Sequence, residues 1–238
     1  MSTLRDHEQG NPMNADRISP SNVWECSERI LQEFLERTRG DVELTCMAQL
    51  AGILKELARP GETLLDAACG TGHLFNSLKK AGVPLEYHGI DLSRKLIRAG
   101  RAVLSERGLP SGRLRVRDIL DCVERHDHVV CINTLEFLPH YHAYLDRLCR
   151  LARRTLTIRT SLADTERISY LLDGCLDEPH NDLMLNFNTY CLAEVRDFIE
   201  ARGFFTRMIP DAYVSGGSEN VAGDKTLYRK IIVCERCP

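Results

Sequence analysis

In the stretch Thr63-Leu64-Leu65-Asp66-Ala67-Ala68-Cys69-Gly70-Thr71-Gly72-His73-Leu74, a short apolar run breaks into a carboxylate and two closely spaced glycines. It reads as a strand, a tight turn and a helix start. Such a turn presents bare backbone amides at a helix N-terminus, where they hold an anionic group, and its glycines let a ligand approach the chain closely. Nineteen residues after Gly72, Asp91 ends a second strand-like run. A carboxylate roughly 20 positions beyond such a turn is placed to accept hydrogen bonds from ribose hydroxyls. Together these features predict a nucleoside-bearing cofactor.

The departures from the dinucleotide pattern narrow the choice. A pyrophosphate binder wants a third glycine for close helix-to-strand packing, and Phe75 stands there instead. Asp66 lies beside the turn, where its charge would repel a pyrophosphate and suit a cationic amino group. The stretch resembles motif I of the class I S-adenosylmethionine-dependent methyltransferases, with Ala68 where many members carry the first glycine. That resemblance implies S-adenosylmethionine as cofactor, bound through Asp66, Ala68, Gly70 and Gly72, and through Asp91 with its neighbour Leu92.

With 238 residues, 43% hydrophobic and 27% charged, the chain can bury one full α/β core plus a modest extra element. Its 31 basic and 34 acidic residues leave a net charge of −3, without the electrostatic footprint of a protein that grips nucleic acid. No apolar stretch approaches the ~18 residues of a membrane span. Asp6, Glu8 and Asp16 interrupt any signal-peptide core, so a cytoplasmic protein is expected. Most of the ten cysteines sit singly inside apolar patterns and read as buried thiols in a reducing compartment. Cys234-Glu235-Arg236-Cys237 has the spacing of a metal pair but no second pair beside it, so no metal site is expected.

The elements that must position these residues follow from periodicity. Residues 1–20 are polar and turn-rich and read as a mobile tail. Residues 21–60 form a helical cap in which Asn22 and Glu25 make a capping box for a first helix ending at Gly40, and Cys46, Met47, Leu50, Ile53, Leu54 and Leu57 mark a second stopped by Pro60. These helices either cover the cofactor mouth or pack on the sheet. Residues 61–238 then alternate strand and helix. Strands are expected near 63–68, 86–91, 113–117, 127–133 and 154–160, and helices near 73–82, 94–107, 141–152 and 192–202. This is an α/β, Rossmann-like, doubly wound sheet. Ser93 caps the helix after β-run 86–91, and Arg150, Arg153 and Arg154 sit where a helix C-terminus favours cations.

Further positions extend the resemblance over residues 61–160 and, less closely, 187–235. Asp118 and Ile119 are similar to the pair that receives the adenine amino group and ring. Asn133-Thr134-Leu135-Glu136 is similar to the segment running under the methionine part of the cofactor. Closing strands near 204–209 and 227–234 would supply the reversed edge hairpin of the family's seven-stranded, mostly parallel sheet.

The chemistry then follows from the cofactor: a lone pair of the acceptor attacks the sulfonium methyl in line, and the protein positions the acceptor and excludes water. A hydroxyl acceptor also loses a proton, for which His140 is the candidate base, with a solvent-facing helix-start histidine as its other reading. Trp24, His180 and Tyr190 are candidate acceptor contacts, each also readable as packing or surface. Asn133-Thr134-Leu135-Glu136 lacks the Pro-Pro-aromatic sequence associated with methylation of nucleic-acid bases, and Cys69 and Cys131 fall at core positions rather than in an activated thiol cluster. A small-molecule acceptor with an oxygen or nitrogen nucleophile is therefore expected, with no nucleic-acid or membrane partner. The acidic insertion at about 163–189 either favours a polyhydroxylated or cationic acceptor or is a solvated surface. A catalytically silent partner that keeps the cofactor site is the other reading.

Overall fold

The computed structural model describes residues 20–172, 176, 180, 183–212, 219–221 and 225–237. The expected tail lies almost wholly outside these, as do Asp173, Asp177, Glu178 and Asp182 of the insertion. The helices are α1 (Glu28–Arg39), α2 (Thr45–Leu57), α3 (Leu74–Ala81), α4 (Arg94–Glu106), α5 (His142–Leu151) and α6 (Leu192–Glu200). The strands are β1 (Thr63–Ala67), β2 (Glu86–Asp91), β3 (Leu114–Val116), β4 (His126–Ile132), β5 (Ala152–Ala163), β6 (Tyr170–Leu172), β7 (Met184–Asn186), β8 (Tyr190–Cys191), β9 (Phe204–Ile209), β10 (Glu219–Val221), β11 (Lys225–Leu227) and β12 (Arg229–Arg236).

Seven strands follow one another across the main sheet in the order β3-β2-β1-β4-β5-β12-β9, and β12 alone runs opposite in direction to the other six. The expected architecture is thus present, with one addition: the two-residue β8 pairs in parallel with the end of β5, making an eighth strand. β6 with β7, and β10 with β11, form separate antiparallel hairpins.

Alternation along the strands divides the core between the two faces of the sheet. Leu65, Val129, Leu145, Leu156 and Val195 belong to one cluster, while their chain neighbours Leu64 and Val130 pack with Leu50, Leu74, Ile97 and Leu104 in the other. Helix α2 sits on the second face, and its Ile53 reaches Ile231 and Val233 of β12. No helix among the described residues is long and apolar enough to cross a membrane.

Three local expectations change. The first α-helix does not begin at Asn22: residues 20–25 form a 3-10 turn, and Ser27 caps α1 by accepting from the Ile30 amide at 3.0 Å. The turn buries Val23 beside Leu185 and Phe187, contacts that a helix starting at Asn22 would have to rearrange. Helix α5 ends at Leu151, so Arg153 and Arg154 belong to β5 and pair with Asp127 and Glu62 instead of a helix end. The last strand lies at 229–236, two residues beyond the expected span.

The turn after β1 is held from two sides. The Thr38 and Thr71 hydroxyls lie 2.6 Å apart, and Asn76 Nδ2 donates to the Thr38 carbonyl at 2.6 Å, so the end of α1 is fastened to the turn. Helix α4 approaches from the other side through Gly100, where a Cβ would sit 2.2 Å from the Thr71 carbonyl oxygen. Gly100→Ala would gain helix propensity but must push α4 off a backbone atom that cannot move aside. The substitution is expected to cost about 2 kcal/mol, seen as a fall of roughly 4–8 °C in melting midpoint; an unchanged or raised midpoint would contradict this packing.

Candidate functional site

A cavity of about 390 Å³ opens at the carboxyl ends of β1, β2 and β4, the end of such sheets where ligands bind. That volume lies in the range of small-molecule sites. Its floor is the turn after β1. Ala68, Gly70 and Gly72 all take positive φ, at 62°, 58° and 78°. These left-handed residues, alternating along the chain, reverse it within one turn and bring its backbone close to the cavity. Ala68 occupies this conformation at a steric cost that glycine would avoid.

Two carboxyl groups face this turn. Asp91 accepts from the Gly70 amide and from the Ser93 amide, each at 2.8 Å, and so ties the turn to the start of α4. Burial raises its pKa despite those two bonds. Each carboxylate oxygen keeps a further lone pair for a ligand. Asp66 is 5% exposed and accepts from the Tyr87 hydroxyl at 2.7 Å. Burial, opposed by that bond and reinforced by the Asp91 charge, pushes its pKa up to about 7. A buried carboxyl with no cation beside it is only half ionised near neutrality, which is the state a cationic ligand would shift.

The other expected residues divide. Asp118, Ile119, Leu92 and Asn133 line the cavity. Asp118 accepts from the Leu120 amide at 2.8 Å, fixing the loop after β3. Asn133 has φ 53°, its amide donates to the Arg159 carbonyl at 2.8 Å, and its side-chain oxygen accepts from the Arg159 guanidinium. Trp24 also lines the cavity, edge-on to Phe137 at 5.3 Å. Gly72 does not: a Cβ there would lie 2.9 Å from Leu114 Cδ2, so its glycine serves packing behind the turn.

The expected base and two of the expected acceptor contacts are not brought to the cavity. His140 is exposed and outside its lining, because the 3-10 turn Leu135–Phe137 and Pro139 carry the chain outward before α5. His180 also lies outside the lining. Tyr190 is buried in the core, where its hydroxyl sits 2.9 Å from the carbonyl oxygens of both Leu135 and Leu138. It pins the segment after β4 from behind.

Residues that the sequence pattern did not single out complete the walls. The Phe34 ring of α1 lies over the turn, close enough that a Cβ on Gly70 would meet it at 2.5 Å. His73 stands edge-on to Phe34 at 5.7 Å, with both ring nitrogens buried and without a protein partner. Burial, with the nearby Arg37 charge, lowers its pKa to about 4, so it is neutral at pH 7. On the far side, Arg159 pairs with Asp211 at 2.5 Å and Arg229 with Glu136 at 3.0 Å, all of them buried. Glu136 also accepts from Thr160 at 2.8 Å. Gln49 of α2 brings Asp211 into place, donating to the Pro210 carbonyl at 2.7 Å and accepting from the Ala212 amide at 2.8 Å. An arginine inside the apolar run of β5 was the sequence signal for this pair, since arginine is rarely buried without a partner.

The folded carboxyl of Asp66 holds its proton up to about pH 7, whereas the unfolded one releases it near 3.8. The folded state therefore binds the extra proton, and stability falls as pH rises through that window. Asp66→Asn removes this cost while still accepting from Tyr87. It is expected to melt above the parent at about pH 8 and close to it at about pH 4; a difference that does not change with pH would mean that Asp66 is ionised throughout.

Residues 65–155 match the family model described as "Methyltransferase domain". No curated protein is matched by the sequence. Among solved structures, the magnesium protoporphyrin IX methyltransferase of Synechocystis PCC 6803 with bound S-adenosylmethionine superposes with a TM-score of 0.62 at 17% identity, covering 94% of this chain and 100% of that one. The 1,6-didemethyltoxoflavin-N1-methyltransferase of Burkholderia thailandensis gives 0.57 at 20% identity, with 81% and 79% covered. An S-adenosylmethionine-dependent methyltransferase of Clostridium acetobutylicum ATCC 824 gives 0.58 at 14%, with 88% and 98% covered. Residues 65–155 thus match a methyltransferase domain, and the fold built around them is that of the class I S-adenosylmethionine-dependent methyltransferases.

Proposed function

We propose that this protein transfers a methyl group from S-adenosylmethionine to an oxygen or nitrogen of a small-molecule acceptor. The observation that carries the reading is the pair of carboxyls facing one turn, Asp66 buried and Asp91 half-buried. Asp66, half ionised near pH 7, suits the amino group of the cofactor, and Asp91, with lone pairs to spare, suits the ribose hydroxyls. Asp118 and Ile119 would receive the adenine, with Leu92 against it. The main-chain amides around Ala68 and Gly70 would border the amino acid end, and Asn133 would lie beneath the methionine chain. In this arrangement His73 and Arg37 face the same end from the side of α1.

When bound, the cofactor supplies an electrophilic methyl group on a sulfonium. The chain's own residues then exclude water and aim the acceptor. Trp24, Phe137, Leu138 and Leu185 form an apolar wall on the acceptor side, with the Arg159 and Arg229 ion pairs behind it. That wall favours an acceptor with substantial apolar surface, in keeping with similar structures named for magnesium protoporphyrin IX and 1,6-didemethyltoxoflavin. His140 is not given the role of base, because it does not reach the cavity. An acceptor that ionises readily, or a neutral amine, needs no protein base at all.

Calorimetric titration with S-adenosylmethionine and its demethylated product tests the site. Binding of both is expected, and Asp91→Ala should weaken it by about 1.5–3 kcal/mol for each charged hydrogen bond lost, or roughly 10- to 150-fold. Its melting curve would check that the turn survives the loss of the Gly70 and Ser93 bonds. Failure of the parent to bind either nucleoside would overturn the reading, and unchanged affinity in the variant would remove Asp91 from the ribose site.

A further inference from the structure

At the opposite end of the sheet, where β1, β2 and β4 begin, lies a second cavity of about 550 Å³ that the methyl-transfer reading does not use. Its walls carry four guanidinium groups, Arg113, Arg115, Arg125 and Arg153, against two carboxylates, Glu86 and Glu124. Both carboxylates are already engaged: Glu86 pairs with Arg113, and Glu124 takes both terminal nitrogens of Arg115. Arg153 lies 3.8 Å from Asp127, whose other oxygen is held by the Thr63 amide and hydroxyl at 2.9 Å. Arg125 is exposed and has no carboxylate partner among the described residues. With Asp127 counted, the four guanidiniums face three carboxylates, so the cavity keeps a surplus of positive charge of about one, centred on Arg125.

Its inner wall is His126, the first residue of β4. The residue is 5% exposed, and both ring nitrogens are buried without a protein partner. The Arg115 Nε is likewise buried and without a partner. The His126 ring rests against His88, centroid to centroid 4.8 Å, and His88 Nε2 is in turn contacted by Arg113 and lies 3.5 Å from Glu86. Orphaned donors in a buried wall cost about 1–3 kcal/mol each unless something meets them. An uncompensated guanidinium, Arg125, and one loosely paired at 3.8 Å, Arg153, beside such donors are the chemistry of an oxyanion site.

We propose that this cavity binds a phosphate dianion, either inorganic phosphate or the phosphate of a phosphomonoester, with His126 and the Arg115 Nε donating from the wall and Arg125 and Arg153 closing over it. Electrostatics then couple the ligand to His126. Burial first, then the charges of His88, Arg115 and Arg153 against that of Glu124, lower its pKa to about 4 in the free protein. A bound dianion opposes that shift, so His126 should take up a proton at higher pH when the site is filled.

The test is a titration of the ¹⁵N-labelled full chain with inorganic phosphate, and in a parallel arm with glycerol phosphate, each against chloride at matched ionic strength. The His126 side-chain resonances report occupancy. Phosphate is expected to raise the His126 pKa by at least about one unit where chloride does not. The Arg125→Ala/Arg153→Ala variant, altered only at exposed positions, should lose phosphate affinity at least tenfold with its melting curve and S-adenosylmethionine affinity unchanged. Tighter binding of glycerol phosphate would assign the site to a carried phosphate, and tighter binding of inorganic phosphate to the free ion. Equal responses to phosphate and chloride, or full phosphate affinity in the double variant, would overturn the proposal.

Discussion

The hydrogen bonds from the Gly70 and Ser93 amides to one Asp91 carboxylate, each 2.8 Å long, hold the geometry on which the rest of the site depends. They join the turn after β1 to the start of α4, across two strands of the sheet. Ala68 in the left-handed region carries a steric cost that its glycine neighbours do not, and the surroundings of the turn hold it there. Phe34 and Thr38 press on it from α1, and the bare face of Gly100 lets α4 come into backbone contact with Thr71. The helices before the sheet are therefore part of the site's construction: α1 walls the cavity and braces its floor, while α2 packs on the sheet and, through Gln49, delivers Asp211 to Arg159.

This bracing places two carboxyls, Asp66 buried and Asp91 half-buried, at the same end of the cavity. In the free protein that is a cost, visible as the raised pKa of both Asp66 and Asp91. A cation bound against Asp66 would turn the cost into affinity, because the desolvation has been met in folding the protein. On the acceptor side the opposite solution is built in: Arg159 with Asp211 and Arg229 with Glu136 neutralise one another. Buried pairs of this kind contribute little net stability but fix the segments that carry them. Here they fix the chain after β4 to β5 and β12.

The sheet was legible because each strand's alternation agrees with burial on both faces, as Leu64 and Leu65 show. The cofactor end was legible because the turn chemistry is local: Asp66, Gly70 and Asp91 are recognisable by type and spacing alone. What the sequence obscured is decided by distant contacts. Asn22 with Glu25 makes the capping box by sequence, yet Ser27 is the cap in the fold, where Val23 is buried among residues from beyond position 180. His140 follows a segment that lines the cavity, yet burial of the adjacent Tyr141 against Tyr190 and Phe198 turns the histidine outward. Gly72 belongs to the motif by spacing, but its missing side chain makes room for Leu114, a residue of β3. Arg159 stands out within the apolar run of β5, but only the fold brings it and Arg229 to one wall.

The central claim is that Asp66 must be ionised to receive the cofactor's amino group. It is tested most directly by the affinity for S-adenosylmethionine between about pH 5 and 7, where an α-amino group stays protonated. With the Asp66 pKa near 7, affinity should rise about ninefold from pH 5 to 6 and about fivefold from pH 6 to 7. Affinity that stays flat, or falls, as the pH rises would contradict the account.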